Sequence, residues 1–237
     1  MACSAERLIE ALIAVDLAEE RRGEHKRASR ARKATYVLTV SRGYGSLGKD
    51  LALALAGRLG VRACDRTILE MVARRLAVDV DLVKTLDERV RRTGIKPWKA
   101  LFPSASLDEQ RFHEHLVKVV LNIAGKGGVI VGRGAHLILG PERAFRVRIV
   151  GSLDRCAERI TGREQIGLDA ARDRVRIVDA QRAEYIEQVF GVSASDDSVY
   201  DLLLNSDRFS IEQMVDLVLV AMRIAGYDIR EEMLKRA

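Results

Sequence analysis

The sequence predicts an α/β protein: a five-stranded parallel sheet with helices on both faces, preceded by a helical N-terminal arm. Three observations carry this expectation. Five short apolar runs recur along the chain, separated by longer segments of helical spacing, which is the pattern of repeated strand–helix units. The first run, "TYVLTV" (35–40), is apolar and β-branched with no polar alternation, as a strand covered on both faces requires. It leads directly into "SRGYGSLGKD" (41–50), a glycine-rich turn that opens a helix.

The elements follow in order. Helical spacing runs from Ser46 to Leu59 and is closed by Gly60 in the position that favours a left-handed residue. "VRACD" (61–65) is a weaker second strand. Helices are expected over 66–77 and 79–92, an irregular stretch over 93–106, and a further helix from Leu107 to Ala124. "GGVIVG" (127–132) and "FRVRIVG" (145–151) supply two more strands, with "GKGG" (125–128) as the turn into the first of them. Helices then fill 152–163 and 168–190, "YDLLLNS" (200–206) is the fifth strand, and 210–226 is a last helix capped by Ser210.

The turn after the first strand reads Gly43-Tyr-Gly-Ser-Leu-Gly48-Lys49, the G-x-x-x-x-G-K spacing of a phosphate-binding loop. In that setting backbone N–H groups and the positive end of the helix dipole face the phosphates. Gly43, Gly45 and Gly48 permit close approach, and Lys49 reaches the terminal phosphates. Asp50 occupies the position where Ser or Thr ordinarily binds Mg²⁺. A carboxylate there would hold the ion directly or through water, with Ser46 and Ser41 as alternative hydroxyls.

Phosphoryl transfer needs fixed positive charge around the moving group more than it needs a nucleophilic side chain. Arg155, Arg159 and Arg163 lie at i, i+4 and i+8 in "SLDRCAERITGRE" (152–164), one ridge of a helix. Arg133 stands between two glycines at the end of a strand, a setting for bidentate phosphate recognition. Asp179 and Arg182 share a helix face at i, i+3. His113 and His115, at i, i+2, diverge on a helix and do not suggest a metal pair.

The segments "TVSRGYGSLGKDLALALAGRLGVRACDRTIL", "VIVGRGAHLIL", "RVRIVGSLDRCAERI", "IVDAQRAEYIEQVFG" and "YDLLLNSDRFSIEQMVDLVL" resemble, in this order, the cytidylate kinase-like family, a branch of the P-loop nucleoside monophosphate kinases. The resemblance covers about residues 35–225. It implies ATP bound at Gly43, Gly45, Ser46, Gly48, Lys49 and Asp50, with Mg²⁺ bridging the phosphates. It implies Arg155, Arg159 and Arg163 as lid arginines acting with Lys49, and Asp65, Arg133, Asp179 and Arg182 as acceptor-binding residues. It further implies an acceptor-binding insert over 66–126 and a lid over 152–170. Typical relatives carry Asp where Val131 stands. The expected reaction is transfer from ATP to CMP or dCMP. A different small acceptor, or a nucleotide sensor that does not turn over, are the alternatives.

Composition agrees with an ordinary globular chain: 48% hydrophobic, 31% charged, net charge +6. Cys3, Cys64 and Cys156 lie far apart, which suits reduced thiols in a cytoplasmic protein. Apolar runs are too short to span a bilayer. In residues 1–33, Leu8, Ile9, Leu12 and Ile13 mark an amphipathic helix over 4–18, followed by the basic stretch "EERRGEHKRASRARK". This arm reads first as a docking helix with a solvated linker, and second as a contact for nucleic acid or a partner protein.

Overall fold

In the computed structural model, residues 36–65, 68 and 106–234 are described. The arm, the helices expected over 66–77 and 79–92, and the irregular stretch over 93–106 lie outside the described residues, apart from Ile68 and the helix start at Ser106.

Five strands form one all-parallel sheet: β1 (Val37–Arg42), β2 (Ala63–Cys64), β3 (Gly128–Val131), β4 (Phe145–Val150) and β5 (Leu202–Asn205), in the order β2-β3-β1-β4-β5. The helices are α1 (Gly48–Leu59), α2 (Ser106–Ala124), α3 (Ala135–Arg143), α4 (Leu153–Glu164), α5 (Leu168–Phe190), α6 (Ile211–Ile224) and the short α7 (Glu231–Leu234). The five-stranded parallel architecture is the one the sequence predicts.

Side-chain alternation builds the two layers. Leu38 and Val40 on β1, with Phe145, Val147 and Ile149 on β4, face α1 and α6 and join Leu51, Leu55, Met214 and Val218 in the larger core. On the other side Val37, Cys64 and Ile130 meet α2 and α3 through Leu116, Val120 and Ile138. Strands buried on both faces read as apolar runs, and β1 and β3 do. β4 differs, because its second face carries Arg146, Arg148 and Val150. That polar face leaves room beneath α5 for a cleft at the carboxyl edge.

Local signals set the helix ends. Gly60, at φ 66°, closes α1 by donating its N–H to the carbonyls of Ala56 and Gly57. Ser210 and Gln213 form a capping box at the start of α6. Helix α3 was not expected from the sequence. It is short, starts after left-handed Gly134, and is interrupted at Gly140–Pro141, which hides its periodicity.

Candidate functional site

The carboxyl edge of the sheet is where open α/β folds bind ligands. Here β1 ends in Arg42 and turns through Gly43–Leu47 into α1. Gly43 N–H donates to the Ile149 carbonyl (3.0 Å), and Ser46 Oγ donates to the Gly43 carbonyl (2.9 Å). Gly45 (φ 82°) and Leu47 (φ 64°) are both left-handed. A Cβ on Gly45 would stand 2.6 Å from the Cys156 carbonyl oxygen, so the close approach of α4 requires glycine there. A Cβ on Gly48 would collide with the Arg42 side chain. The first-turn N–H groups of α1 have no intrahelical acceptor and carry the positive end of its dipole. Lys49 and Asp50 are exposed on that turn.

Two tethers hold the loop. Tyr44 N–H donates to Asp179 Oδ1 on α5 at 2.8 Å. Arg159 on α4 donates through Nη1 to the Gly45 carbonyl (3.1 Å) and to Ser206 Oγ (3.0 Å), and through Nη2 to the Ser206 carbonyl (2.7 Å). Asp207 lies 3.7 Å from the same guanidinium. The three arginines of the α4 ridge therefore have different surroundings. Arg159 ties the loop to the end of β5, Arg155 pairs with Glu158 at the surface (2.9 Å), and Arg163 lies 5.1 Å over the Tyr44 ring. The Tyr44 hydroxyl donates to Glu164, beside Arg163.

Behind the loop is a cavity of about 490 Å³, with Arg42, Gly43, Arg133, Asp179 and Arg182 in its wall. Arg133 (φ 59°) lies between left-handed Gly132 and Gly134, giving three successive residues in that region. For a non-glycine residue this conformation costs roughly 1–2 kcal/mol, the kind of strain found at binding sites. Glycine at 132 is favoured by its left-handed φ of 70°, and at 134 a Cβ would meet the Phe190 ring. Arg182 donates to the Arg42 carbonyl (3.0 Å) and to Asp179 Oδ1 (3.3 Å) and lies 5.4 Å over the Tyr44 ring. Burial pushes the Asp179 carboxyl up, against the pull of Arg182 and the Tyr44 N–H, and desolvation lowers the Arg182 guanidinium. Asp65, at the end of β2, is 3.5 Å from Arg42.

The structure thus brings Arg133, Asp179 and Arg182 into one cavity, with Asp65 joined to it through Arg42. Lys49 and Asp50 stand on the α1 side of the loop. Of the two serines considered beside Asp50 for a metal, Ser46 is fully buried against Gly43, and Ser41 Oγ is 3.2 Å from His136 Nδ1. Among the described residues no group of three or more His, Cys, Asp or Glu is arranged to hold a metal ion, and no helix is long and apolar enough to cross a membrane.

Sequence reasoning missed Arg42, His136, Arg148 and Tyr200 and weighed Ser41 only as a metal hydroxyl, and all five line the cavity. Two signals for them were present: an arginine ending the strand before the glycine loop, and the alternating Arg146 and Arg148 in an otherwise apolar strand. His136 is 3% exposed and stacks on Tyr200 (4.7 Å, 20°), and burial, aided by Arg146 and Arg148, lowers its pKa to about 4. Arg148 donates to the Ala194 carbonyl (2.6 Å), lies 3.3 Å from Asp197 and sits 5.4 Å over the Tyr200 ring.

A parallel sheet with a glycine loop after β1 and a cation-lined cavity beside it defines an α/β protein with its candidate site at the carboxyl edge of the sheet. Residues 37–208 match the cytidylate kinase-like family, and the chain belongs to that family. Among curated proteins it is 30% identical over 68 residues to a cytidylate kinase of Methanothermobacter thermautotrophicus, covering 29% of this chain and 42% of that one. It is 29% identical over 100 residues to a uronate isomerase of Corynebacterium glutamicum, covering 42% of this chain and 19% of that one. In both cases the chain spans less than half the length of the relative. A solved structure of an uncharacterized protein from Eubacterium ventriosum shares the fold, with a TM-score of 0.58 at 19% identity over 83% of this chain and 100% of that one.

Proposed function

We propose that the chain transfers the γ-phosphoryl group of ATP to a nucleoside monophosphate, CMP or dCMP. The observation that carries this reading is the Tyr44–Asp179 tether, which fixes the glycine loop against a cavity walled by Arg42, Arg133 and Arg182. Two phosphate-binding elements are thereby adjacent, as an in-line transfer between two phosphates requires. The loop amides and Lys49 would hold the ATP phosphates. Arg133 and Arg182 would hold the acceptor phosphate, whose own oxygen is the nucleophile, so no side-chain base is needed.

The chain fits Mg²⁺ through one exposed carboxylate, Asp50, and Mg²⁺ commonly completes such a shell with substrate phosphates and water. When bound, the ion would supply charge neutralisation to the transferring phosphates. The Arg159 bonds hold the loop in register with the end of β5. Arg155 and Arg163, on the same helix and less tied down, are the arginines available to close over the transferring group. We place the transferring unit at residues 34–237, with the acceptor-binding insert at 66–126, the lid at 152–170, and residues 1–33 as an arm not needed for transfer.

An ADP-release assay with ATP, Mg²⁺ and a panel of CMP, dCMP, UMP, AMP and GMP tests the reading. Turnover with the cytidine members is expected. Lys49→Ala is expected to lower kcat by a hundredfold or more, on the order of 3 kcal/mol of lost transition-state stabilisation. Full activity in Lys49→Ala would remove the phosphate-loop assignment. The dispersed carboxylates favour one second reading, a nucleotide sensor without turnover. It requires tight ATP binding, no transfer to any acceptor, and an output that disappears with residues 1–33.

A further inference from the structure

The cleft floor contains a hydrogen-bonded chain to which the phosphate-binding groups above give no role. Ser41 lies near the end of β1, His136 in the first turn of α3, and Tyr200 just before β5. His136 Nδ1 is 3.2 Å from Ser41 Oγ, and its Nε2 is 3.1 Å from the Tyr200 hydroxyl. Three separate elements converge on one imidazole, which is itself almost fully buried while both hydroxyl residues line the cavity.

Proton counting fixes what this chain can offer. A neutral imidazole carries one N–H and one bare nitrogen. One hydroxyl must therefore donate to the bare nitrogen while the other accepts from the N–H. The first keeps lone pairs for the cleft, and the second keeps its own O–H to donate. In either tautomer the floor presents one donor and one acceptor, and the two exchange places together. Arg148, which also lines the cavity, is turned to the Ala194 carbonyl and Asp197 beside this floor, and Glu187 lines the same cavity. Arg42, Arg133 and Arg182 form a cationic wall around Gly43 and Asp179.

We infer that Ser41 and Tyr200 read the uncharged end of the acceptor, a heterocyclic base that carries a donor and an acceptor, while the arginines hold its phosphate. His136 is a positioning residue that couples the two hydroxyls. The inference rests on the nucleoside monophosphate reading and names the residues that would hold its base.

Equilibrium binding by calorimetry tests it independently of turnover. CMP and ribose 5-phosphate are titrated into the full-length wild type and into Tyr200→Phe, Ser41→Ala and His136→Gln, and CMP turnover is measured in parallel. Wild type is expected to bind CMP at least about tenfold tighter than ribose 5-phosphate, as two neutral hydrogen bonds allow. Tyr200→Phe and Ser41→Ala should each reduce that ratio several-fold through weaker CMP binding, with ribose 5-phosphate binding and the KM for ATP within about twofold. The paired variant Ser41→Ala/Tyr200→Phe should lose less than the sum of the two single effects, because each hydroxyl sets the other's role through His136. Equal affinities of wild type for the two ligands would overturn the inference, as would a ratio unchanged in both hydroxyl variants. A tenfold preference without any turnover would sustain the floor assignment and sink the kinase reading. If His136→Gln fails to fold, the two hydroxyl variants still decide the matter.

Discussion

Acidification should destabilise this protein through His136, and His136→Gln should remove a defined share of the loss. Burial of the ring, with Arg146 and Arg148 beside it, lowers its pKa from 6.5 to about 4. The unfolded chain therefore binds a proton in a window where the folded chain does not. The stability contributed by the neutral ring is complete above about pH 6.5 and lost as pH falls toward 4. At one pKa unit per 1.36 kcal/mol, the full loss is about 3 kcal/mol, of which about 2 kcal/mol has gone by pH 5. His113, lowered to about 4 by burial, adds a similar share, so the two together account for about 4 kcal/mol at pH 5. Asp179 acts in the opposite direction, because a raised carboxyl pKa favours the folded state as pH falls. Asp201 and Asp207 have lowered values, so their contributions are lost below the ordinary carboxylate range. The assay is urea unfolding at about pH 7.5 and about pH 5. With an m-value of about 2 kcal/mol/M, removing one histidine's share should narrow the gap between the two midpoints by about 1 M. A gap unchanged in His136→Gln would refute the account of its burial.

Two further outcomes separate structural from surface roles. Arg159→Ala should cost about 2–4 kcal/mol in urea unfolding, because it breaks charge-assisted hydrogen bonds to Gly45 and Ser206, whereas Arg155→Ala, in an exposed pair, should stay within about 0.5 kcal/mol. Equal effects would mean that the Arg159 tether does not hold the loop. Gly45→Ala should destabilise by about 2 kcal/mol or more, from its left-handed backbone and the Cys156 carbonyl. By contrast Gly57→Ala, in the interior of α1 with nothing within 4 Å, should stabilise by about 0.5–1 kcal/mol. Thermal melts of both glycine variants check the pair, and a Gly45→Ala protein as stable as wild type would overturn the packing argument.

Sequence alone determined the architecture, because the information is local. The apolar runs of β1 and β3, the 23-residue α5, the Gly60 cap and the Ser210 capping box are each written in a few adjacent residues. The glycine loop was legible for the same reason, since its spacing follows from the turn it must make. What only the tertiary structure decided was which side chains meet. The three arginines of α4 are equivalent on a helical wheel, yet Arg159 alone reaches Gly45 and Ser206, because packing of α4 against the loop places that one turn over the end of β5. Ser41, His136 and Tyr200 are 95 and 64 residues apart and share no motif, so no local pattern announces them. Their meeting depends on parallel strand order, which sets β1 between β3 and β4 and so carries the start of α3 and the approach to β5 to the same floor.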